Sequence, residues 1–260
     1  MNGLVLGAGL MGSQIACEYA IGGHTDFAAS RDPTTLHHRL DPTLDLAERL
    51  GKIAVLRPVA QRYPEAVIAT NTSSLSITRI GDEIGAEERA IGTHYWNPPL
   101  LMPLVEIVAG DRTRPDVVDR VREMLVGLGK DPVLVARDVP GFVWNRLQLA
   151  VMREALWLAD NGVVSPSDLD TIVRDGLGRR WRLVGPFETA ALGGADTCRR
   201  IGENLLPELS DAHDLAGLER WLLIDQSTLT DVRRLRDESL AAELISERRS
   251  STVNQPGSNR

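Results

Sequence analysis

The sequence contains a histidine and a glutamate whose positions suit acid–base chemistry. His94 ends the apolar run 90–93, which is typical of a buried strand, and Glu106 is a lone acid within the apolar run 104–108. An imidazole titrates near neutral pH and can therefore remove a proton from an alcohol. A carboxylate in an apolar strand is costly to bury unless it is paired. We predict that Glu106 pairs with His94, although either residue alone is also compatible with a purely structural role.

A glycine-rich turn lies close to the N-terminus. The apolar run 3–6 leads into three spaced glycines and then into a helical pattern over 13–20. Gly7 permits the tight turn, Gly9 lets the backbone approach a pyrophosphate, and Gly12 allows close packing of helix and strand. The N-terminus of the helix presents free N–H groups to the phosphates. The spacing predicts that a dinucleotide binds at Gly7, Gly9, Leu10, Met11 and Gly12.

The residues after the second predicted strand, 25–29, bear on which dinucleotide fits. NAD-binding proteins place an acidic residue there to bind the ribose hydroxyls. This chain instead has Ser30, followed by Arg31 and Asp32. Arg31 suits the 2′-phosphate of NADP or is a solvent-exposed loop charge, whereas Asp32 suits NAD if the strand ends later. The predicted cofactor is NAD, with NADP as the alternative, and Ser30 and Arg31 are cofactor-binding candidates.

The elements that must position these side chains follow an α/β pattern. Short apolar strands are predicted at 66–70, 90–93, 104–108 and 132–135, and a helix at 45–63 is predicted to be interrupted by Gly51 and Pro58. Strands that alternate with helices are typical of a mostly parallel sheet. The predicted fold class is therefore α/β, with an N-terminal Rossmann-like doubly wound sheet.

The second half of the chain is predicted to be all-helical. Apolar residues recur at helical spacing over 142–161, Ser165 and Pro166 are a typical helix start, and the glycines of 176–178 are expected to end that helix. Gly185 and Pro186 open another helix. We predict a dinucleotide-binding domain over 1–138, a helical domain over 139–249 and a disordered tail over 250–260.

Composition and charge exclude several classes of function. The 260 residues carry 29 basic and 36 acidic side chains, so no overall basic field is available for nucleic acid. No apolar run predicts a membrane span, and no secretory leader is apparent. Cys17 and Cys198 form no redox or metal motif. We expect a cytoplasmic protein with a small-molecule substrate, and neither a metal site nor a nucleic-acid or membrane partner.

Four sequence blocks resemble the signatures of the 3-hydroxyacyl-CoA dehydrogenase family. They are 71–75, 94–98, 103–106 and 140–147, and with the glycine turn they occur in the order and at the spacing of that family. The resemblance implies a dehydrogenase with a C-terminal helical domain that forms a homodimer. It also implies site residues: His94 as the catalytic base with Glu106 as its partner, Ser73 and Asn145 on the substrate oxygen or the histidine, Asn97 at the substrate, and Asn71 at the cofactor.

Further runs are similar to the L-gulonate 3-dehydrogenase and lambda-crystallin branch of that family. They are 164–170, 175–181 and 185–189, and the resemblance implies a small polar 3-hydroxy acid as substrate. Arg179 and Arg182, with Arg180 between them, are candidates for binding its carboxylate, or are solvent-facing charges at a helix end. The run 71–74 resembles the acyl-CoA branch instead. The substrate class therefore stays open between the two.

Two alternatives come from other parts of the sequence. A 6-phosphogluconate-type dehydrogenase shares the glycine turn but depends on a catalytic lysine, and neither Lys52 nor Lys130 lies in a matching context. A non-catalytic, crystallin-like protein with a degraded cofactor site is the second alternative. The short segment after Asp32 favours it, whereas the set of His94 and Glu106 with its partners favours an enzyme.

The segment between Asp32 and Asn71 is much shorter than in the family and lacks an apolar strand beside the first strand. Strands 1 and 4 are central neighbours in a doubly wound sheet. Each buried backbone group left without a partner costs about 1–3 kcal/mol, so a simple deletion of strand 4 should not fold. We predict that the printed chain omits residues between Asp32 and Leu50, or that another segment replaces the strand. Lys52 is then a remnant of the helix on the cofactor side and a cofactor-binding candidate.

Overall fold

A computed structural model describes residues 2–6, 10–23, 25–29, 44–222 and 226–253, and side chains over 11–23, 52–222 and 227–247. The chain divides into two compact units. The first comprises Met1–Val143 with the segment from Thr230 onward, and the second comprises Trp144–Leu229. The domain limits at 138, 249 and 250 stay predictions; the last helix, which starts in the second unit, continues to Val253.

The first unit contains six strands and four helices among its described residues before Val143. The strands are β1 (Asn2–Leu6), β2 (Thr25–Ala29), β3 (Ile68–Thr70), β4 (Ala90–Tyr95), β5 (Leu104–Ala109) and β6 (Asp131–Val135). The helices are α1 (Leu10–Ile21), α2 (Leu44–Arg62), α3 (Ile77–Ile84) and α4 (Pro115–Gly127). The predicted fold class is confirmed, since a mixed α/β unit dominated by parallel strands is followed by a helical region.

The sheet contains one antiparallel pair that the alternating pattern did not predict. In the four-stranded sheet β3-β4-β5-β6, β3 and β4 are parallel, β5 and β6 are parallel, and β4 and β5 are antiparallel. The connection 96–103 contains no helix. A parallel crossover needs a dozen or more residues, whereas a short connection can return the chain only in the opposite direction. The reversal brings β5 alongside β4.

The first two strands form a separate parallel pair, β1 with β2, joined through α1. Within the described residues, no strand pairs with the other edge of β1. Residues 30–43 lie outside the described part of the chain, so the hypothesis of omitted residues or a replacement strand stays a prediction. Among the described residues, α1 packs against the larger sheet: Ile15 belongs to one buried cluster with residues of β4, β5 and α4.

Helices cover the two faces of the four-stranded sheet. Ile91, Val105 and Ile107 point to the face that α1 and α4 cover. Side chains alternate along a strand, so Gly92 and Val108 point to the opposite face, where α3 packs. A Cβ atom at Gly92 would lie 3.0 Å from both Ile77 Cδ1 and Val108 Cβ. Glycine at this position therefore allows α3 to approach the sheet closely.

The breaks predicted within two helices are wrong. Helix α2 continues through both Gly51 and Pro58, from Leu44 to Arg62. It is held by packing, because Ile53 and Ala60 are buried in one apolar cluster with residues of α3. The glycines of 176–178 likewise do not end a helix: they lie in a π-helical stretch, Ile172–Gly178, that continues into α7 (Arg179–Trp181).

The second unit is helical as predicted. Its other helices are α5 (Trp144–Asp160), α6 (Pro166–Thr171), α8 (Pro186–Gly193) and α9 (Ala195–Leu205); short 3₁₀ turns follow at 206–208 and 218–220, and α10 spans Gln226–Val253. The predicted helix starts are confirmed. Ser165 Oγ accepts a hydrogen bond from Asp168 N–H at 3.1 Å, and Gly185 N–H donates to Glu188 Oε2 at 2.7 Å. No helix in the described parts of the chain is long and apolar enough to span a membrane.

Arg89 provides a test of how α2 is held in the first unit. Its guanidinium donates to Ala60 O and Ala66 O at 2.6 Å each, and to Tyr63 O at 3.1 Å. These carbonyls lie at the C-terminal end of α2 and just beyond it, where no intrahelical donor is available. Arg89→Met should lower the free energy of unfolding by about 1–3 kcal/mol, measured by urea denaturation. Replacing exposed Arg122 of α4 by methionine should leave it unchanged; equal midpoints for the two variants would contradict the assignment.

Candidate active site

The register of two strands places His94 and Glu106 side by side. His94 is the penultimate residue of β4, and it is paired across the sheet with Glu106 of β5. Directly opposite residues in an antiparallel pair project their side chains to the same face, about 5 Å apart. The antiparallel return of the chain therefore produces the juxtaposition that the sequence pattern suggested.

The two side chains form a short, buried hydrogen bond. Nδ1 of His94 lies 2.6 Å from Oε2 of Glu106, and the residues are 4% and 3% exposed. The carboxylate accepts, so we assign the proton to Nδ1, which leaves the lone pair of Nε2 as the basic site. The other carboxylate oxygen, Oε1, accepts the N–H of Val143 at 3.1 Å. Both oxygens of the buried carboxylate are thus hydrogen bonded.

The segment 140–143 closes over this pair. Phe142 is 1% exposed, and its ring meets the imidazole of His94 edge to face with the centroids 5.5 Å apart. Gly141 and Phe142 both have positive φ, at 76° and 51°. A left-handed conformation is unfavourable for a phenylalanine and persists only where the surroundings hold it. The contacts to His94 and Glu106 hold it there, and the ring excludes water from the pair.

Asp138 fixes the start of the same segment. Its Oδ2 accepts from Ser76 Oγ at 2.7 Å and from the N–H of Thr78 at 2.9 Å. Both donors lie at the N-terminal end of α3, where unpaired N–H groups and the helix dipole favour a carboxylate. Asp138 therefore ties the segment that carries Phe142 to α3, which packs on the same face of the sheet as His94.

Three other predicted site residues lie in the first unit near the ends of β3 and β4. Asn71 directly follows β3, and its Oδ1 accepts the N–H of Tyr95 at 2.7 Å. It is thereby fixed to the strand that carries His94. Ser73 follows in the same loop and is exposed, and Asn97 is exposed in the loop after β4. These loops leave the sheet at the C-terminal ends of its strands, where open α/β sheets bind ligands.

The remaining predicted residues are distributed over other parts of the chain. Asn145 is half-buried in the first turn of α5, and Arg179 and Arg182 are exposed at α7; all three belong to the second unit.

The predicted cofactor-binding residues that are described lie in the first unit. Leu10, Met11 and Gly12 form the start of α1, and Lys52 is half-buried on α2. Gly7, Gly9, Ser30 and Arg31 lie outside the described residues. Among the side chains that are described, no cluster of three His, Cys, Asp or Glu is placed to hold a metal ion.

The described backbone fits a dinucleotide at the start of α1. A strand, a connection of residues 7–9, a helix and a parallel second strand make a βαβ unit, with β1 and β2 in register from Asn2 opposite Thr25. In such a unit the helix N-terminus binds the pyrophosphate through free N–H groups. Residues 10–12 would therefore hold the phosphates of a bound dinucleotide.

Sequence reasoning missed Phe142, the N–H of Val143 and Asp138 as parts of the site. The block 140–147 carries a family signature, but the resemblance assigns a role only to Asn145. Gly141 was the available signal, because a glycine before a large apolar residue indicates a turn with positive φ. Contacts between residues so far apart in the chain cannot be obtained from local pattern.

Taken together, the βαβ unit, the strand-end histidine and the helical second unit define a dinucleotide-binding α/β protein. Comparison with known proteins specifies the family. The family model for the NAD-binding domain of 3-hydroxyacyl-CoA dehydrogenase matches residues 48–139, and that for its C-terminal domain matches residues 141–223. The chain belongs to the 3-hydroxyacyl-CoA dehydrogenase family, and its cofactor is NAD.

Several curated proteins of known name are similar to the chain over part of their length. The chain is 40% identical to L-carnitine dehydrogenase of Burkholderia mallei over 157 residues, which is 60% of this chain and 46% of the relative. It is 37% identical to lambda-crystallin of Oryctolagus cuniculus over 158 residues, 56% of this chain and 50% of the relative. The chain spans about half the length of the curated relatives it matches.

A solved structure matches over nearly the whole chain. It is that of 5-formyl-3-hydroxy-2-methylpyridine 4-carboxylic acid 5-dehydrogenase, described as an NAD⁺-dependent dismutase. The TM-score is 0.79 at 27% identity, covering 93% of this chain and 96% of that one. The similarity includes the helical second unit as well as the sheet.

The geometry of the pair predicts distinct effects for two substitutions. His94→Ala removes the basic nitrogen and should lower kcat by about 10²–10⁴-fold, with NAD affinity nearly unchanged because the imidazole is not part of the dinucleotide turn. Glu106→Gln keeps the shape but removes the anionic partner, so kcat should fall less. Steady-state kinetics and NAD titration measure both effects. Glu123→Gln, on the exposed face of α4, is the matched control; kcat in either site variant equal to that of the control would reject the pair as catalytic.

Proposed function

We propose that the protein is an NAD-dependent dehydrogenase that oxidises the 3-hydroxyl group of a small polar 3-hydroxy acid, with 3-hydroxyacyl-CoA as the other substrate class of the family. The observation that carries the proposal is the buried hydrogen bond between His94 and Glu106 at the C-terminal end of β4. A histidine used only for packing does not need a carboxylate partner with both oxygens engaged. The position at the strand end faces the ligand-binding side of an α/β sheet.

His94 and Glu106 handle the proton of the reaction. His94 takes the proton of the substrate hydroxyl at Nε2, and Glu106 stabilises the imidazolium that forms. NAD, when bound, accepts hydride from the carbon that carries the hydroxyl, which becomes a carbonyl. Phe142 keeps water away from the protonated pair, which strengthens the attraction between the two charges. We assign Ser73 and Asn145 to the substrate oxygen and Asn97 to the rest of the substrate, as the family resemblance implies.

The relatives favour a small polar substrate over an acyl-CoA. L-carnitine dehydrogenase and lambda-crystallin are among the similar proteins, and L-carnitine is itself a small polar 3-hydroxy acid. A pyridine carboxylate is the substrate of the structural relative. Each of these two substrates carries a carboxylate, which Arg179 and Arg182 suit as bidentate donors. Both arginines are exposed, as a substrate contact requires.

A non-catalytic dinucleotide-binding protein is the second candidate. Two observations favour it: no described strand pairs with the edge of β1 that faces away from β2, and the NAD-binding family match begins at residue 48, after the glycine turn. The intact pair of His94 and Glu106 favours the enzyme, because a protein without turnover has no need of a desolvated base.

A substrate screen distinguishes the candidates. In the oxidative direction, the purified chain is incubated with NAD or NADP and with L-carnitine, L-gulonate or 5-formyl-3-hydroxy-2-methylpyridine 4-carboxylate. In the reductive direction, it is incubated with the reduced cofactors and acetoacetyl-CoA. Turnover is followed by the absorbance of the reduced nicotinamide. We expect turnover with NAD and a 3-hydroxy acid, L-carnitine or L-gulonate, and loss of that turnover in His94→Ala; turnover of the pyridine aldehyde alone would replace the proposed reaction. Binding of NAD without turnover of any substrate would support the non-catalytic candidate, and turnover of acetoacetyl-CoA alone would replace the proposed substrate class.

We further propose that the second unit forms a homodimer. Several of its apolar side chains are strongly exposed, among them Leu183, Phe187 and Leu192 at 82%, 89% and 79%. Many exposed large apolar side chains on one unit are typical of an interaction site. Other large apolar side chains of the second unit are also exposed, including Trp181, Ile201, Leu205, Leu206 and Leu222. A second copy of this chain is the occupant that the family resemblance implies.

Light scattering on the purified protein tests the dimer. We expect a mass of twice the chain for the wild type and a single-chain mass for Phe187→Asp, because a buried charge without a partner destabilises an interface. Val126→Asp, at an exposed apolar position on α4 of the first unit, is the control and should remain dimeric. A monomeric wild type, or a dimeric Phe187→Asp, would contradict the proposed interface.

A further inference from the structure

The first unit contains a buried ion pair that the proposed chemistry does not use. Lys130, just before β6, is 5% exposed, and its Nζ lies 2.6 Å from Oε1 of Glu18 on α1. Glu18 is 8% exposed. Burial of two charges carries a large desolvation penalty and is tolerated only with good geometry and further hydrogen bonds. A pair kept at such a position requires an explanation.

The further hydrogen bonds of Lys130 lead to the loop after β4. Nζ donates to Pro99 O at 2.6 Å and to Met102 O at 2.9 Å. With Glu18, these acceptors account for all three N–H groups of the ammonium. The ammonium also lies 5.9 Å from the centroid of the Tyr95 ring, next to His94 in β4. Burial raises the pKa of the Tyr95 phenol far above its usual range, so the ring stays neutral beneath the cation.

The same loop carries Asn97, which the proposed function places at the substrate. Its backbone turns at Pro98, whose carbonyl accepts the N–H groups of Leu101 and Met102 at 3.1 and 3.0 Å. Lys130 therefore holds the loop from the protein interior at two carbonyls of that turn, Pro99 within it and Met102 at its end. Through Glu18 it connects the loop to α1, the helix of the βαβ unit.

The choice of a lysine at this position is itself informative. The chain carries 29 basic residues, and only Lys52 and Lys130 are lysines. A lysine ammonium is a compact charge whose three donors diverge from one nitrogen, whereas a guanidinium is a planar fork that matches carboxylates. Three acceptors arranged around one point, two of them backbone carbonyls, are matched by the ammonium. Arginine, used at nearly every other basic position, does not suit this arrangement.

We propose that Lys130 is a positioning residue for substrate binding: its ammonium, oriented by Glu18, fixes the loop 97–102 so that Asn97 meets the substrate beside His94. The inference rests on the proposed function. It assigns to Lys130 an effect on substrate affinity rather than on the chemical step, since the ammonium contacts the loop from the protein interior. The N–H groups that would hold the dinucleotide lie at the other end of α1 from Glu18, so NAD affinity should stay near that of the wild type.

The kinetic test uses Lys130→Met, which keeps an unbranched side chain one atom shorter and removes all three donors. For the folded fraction, we expect kcat/KM for the hydroxy acid to fall about 10- to 100-fold, mainly through a higher KM, as for a misplaced binding group. A purely structural role would lower the amount of active enzyme, and hence the apparent kcat, with KM unchanged. Arg112→Met is the matched control, because it removes an exposed ion pair with Asp82 and Glu87 in the same unit. KM unchanged in folded Lys130→Met would overturn the proposal.

A second variant and a second measurement keep the proposal testable if Lys130→Met does not fold or the chain is inactive. If Lys130→Met does not fold, Glu18→Gln, which removes only the charge of the partner, should raise KM in the same direction by a smaller factor; an unchanged KM would overturn the proposal. Hydrogen–deuterium exchange of Leu101 and Met102 needs no turnover, so it separates this proposal from the proposed function. We expect faster exchange of both amides in Lys130→Met or, where that variant does not fold, in Glu18→Gln than in Arg112→Met. Equal protection would reject the role of Lys130 even if the chain proves inactive.

Discussion

The hydrogen bond between His94 and Glu106 is the interaction on which much of the first unit depends. A carboxylate in the middle of a sheet strand is stable only if both of its oxygens find donors. Here one donor is the imidazole across the strand pair and the other is the N–H of Val143. The first requirement favours the observed register of β4 against β5. The second holds the segment 140–143 in a conformation that a phenylalanine rarely adopts.

The surrounding contacts convert this local constraint into a prepared site. Asp138 ties the covering segment to α3, and Asn71 ties the end of β3 to the strand of His94. Each of these side chains uses a backbone or helix-end group that would otherwise lack a partner. The groups assigned to chemistry are therefore held by the same hydrogen bonds that complete the fold, which reduces the rearrangement needed when a substrate binds.

The family models match only part of the chain. The matched region, 48–139 and 141–223, contains the His–Glu pair, its covering segment and the helical unit. The glycine turn lies before it, in a part where β1 and β2 form their own two-stranded sheet. That part is attached to the larger sheet through α1, by the packing of Ile15 and by the ion pair of Glu18 with Lys130. Within the described residues, this connection is made by side-chain contacts of one helix.

The sequence alone determined what is local or carried by motif. The α/β pattern, β2 at 25–29, the capped start of α6 and the candidate pair His94 and Glu106 all follow from apolar periodicity, turn residues and the cost of burying a lone acid. The tertiary structure decided what depends on contacts between distant residues. It alone decided that β5 returns antiparallel to β4, that α2 continues through Pro58, and that Phe142 and Lys130 serve the site. The reason is physical: propensity and pattern act within one element, whereas register, burial and the partners of a buried charge are set by whichever distant residues the fold brings within a few ångströms.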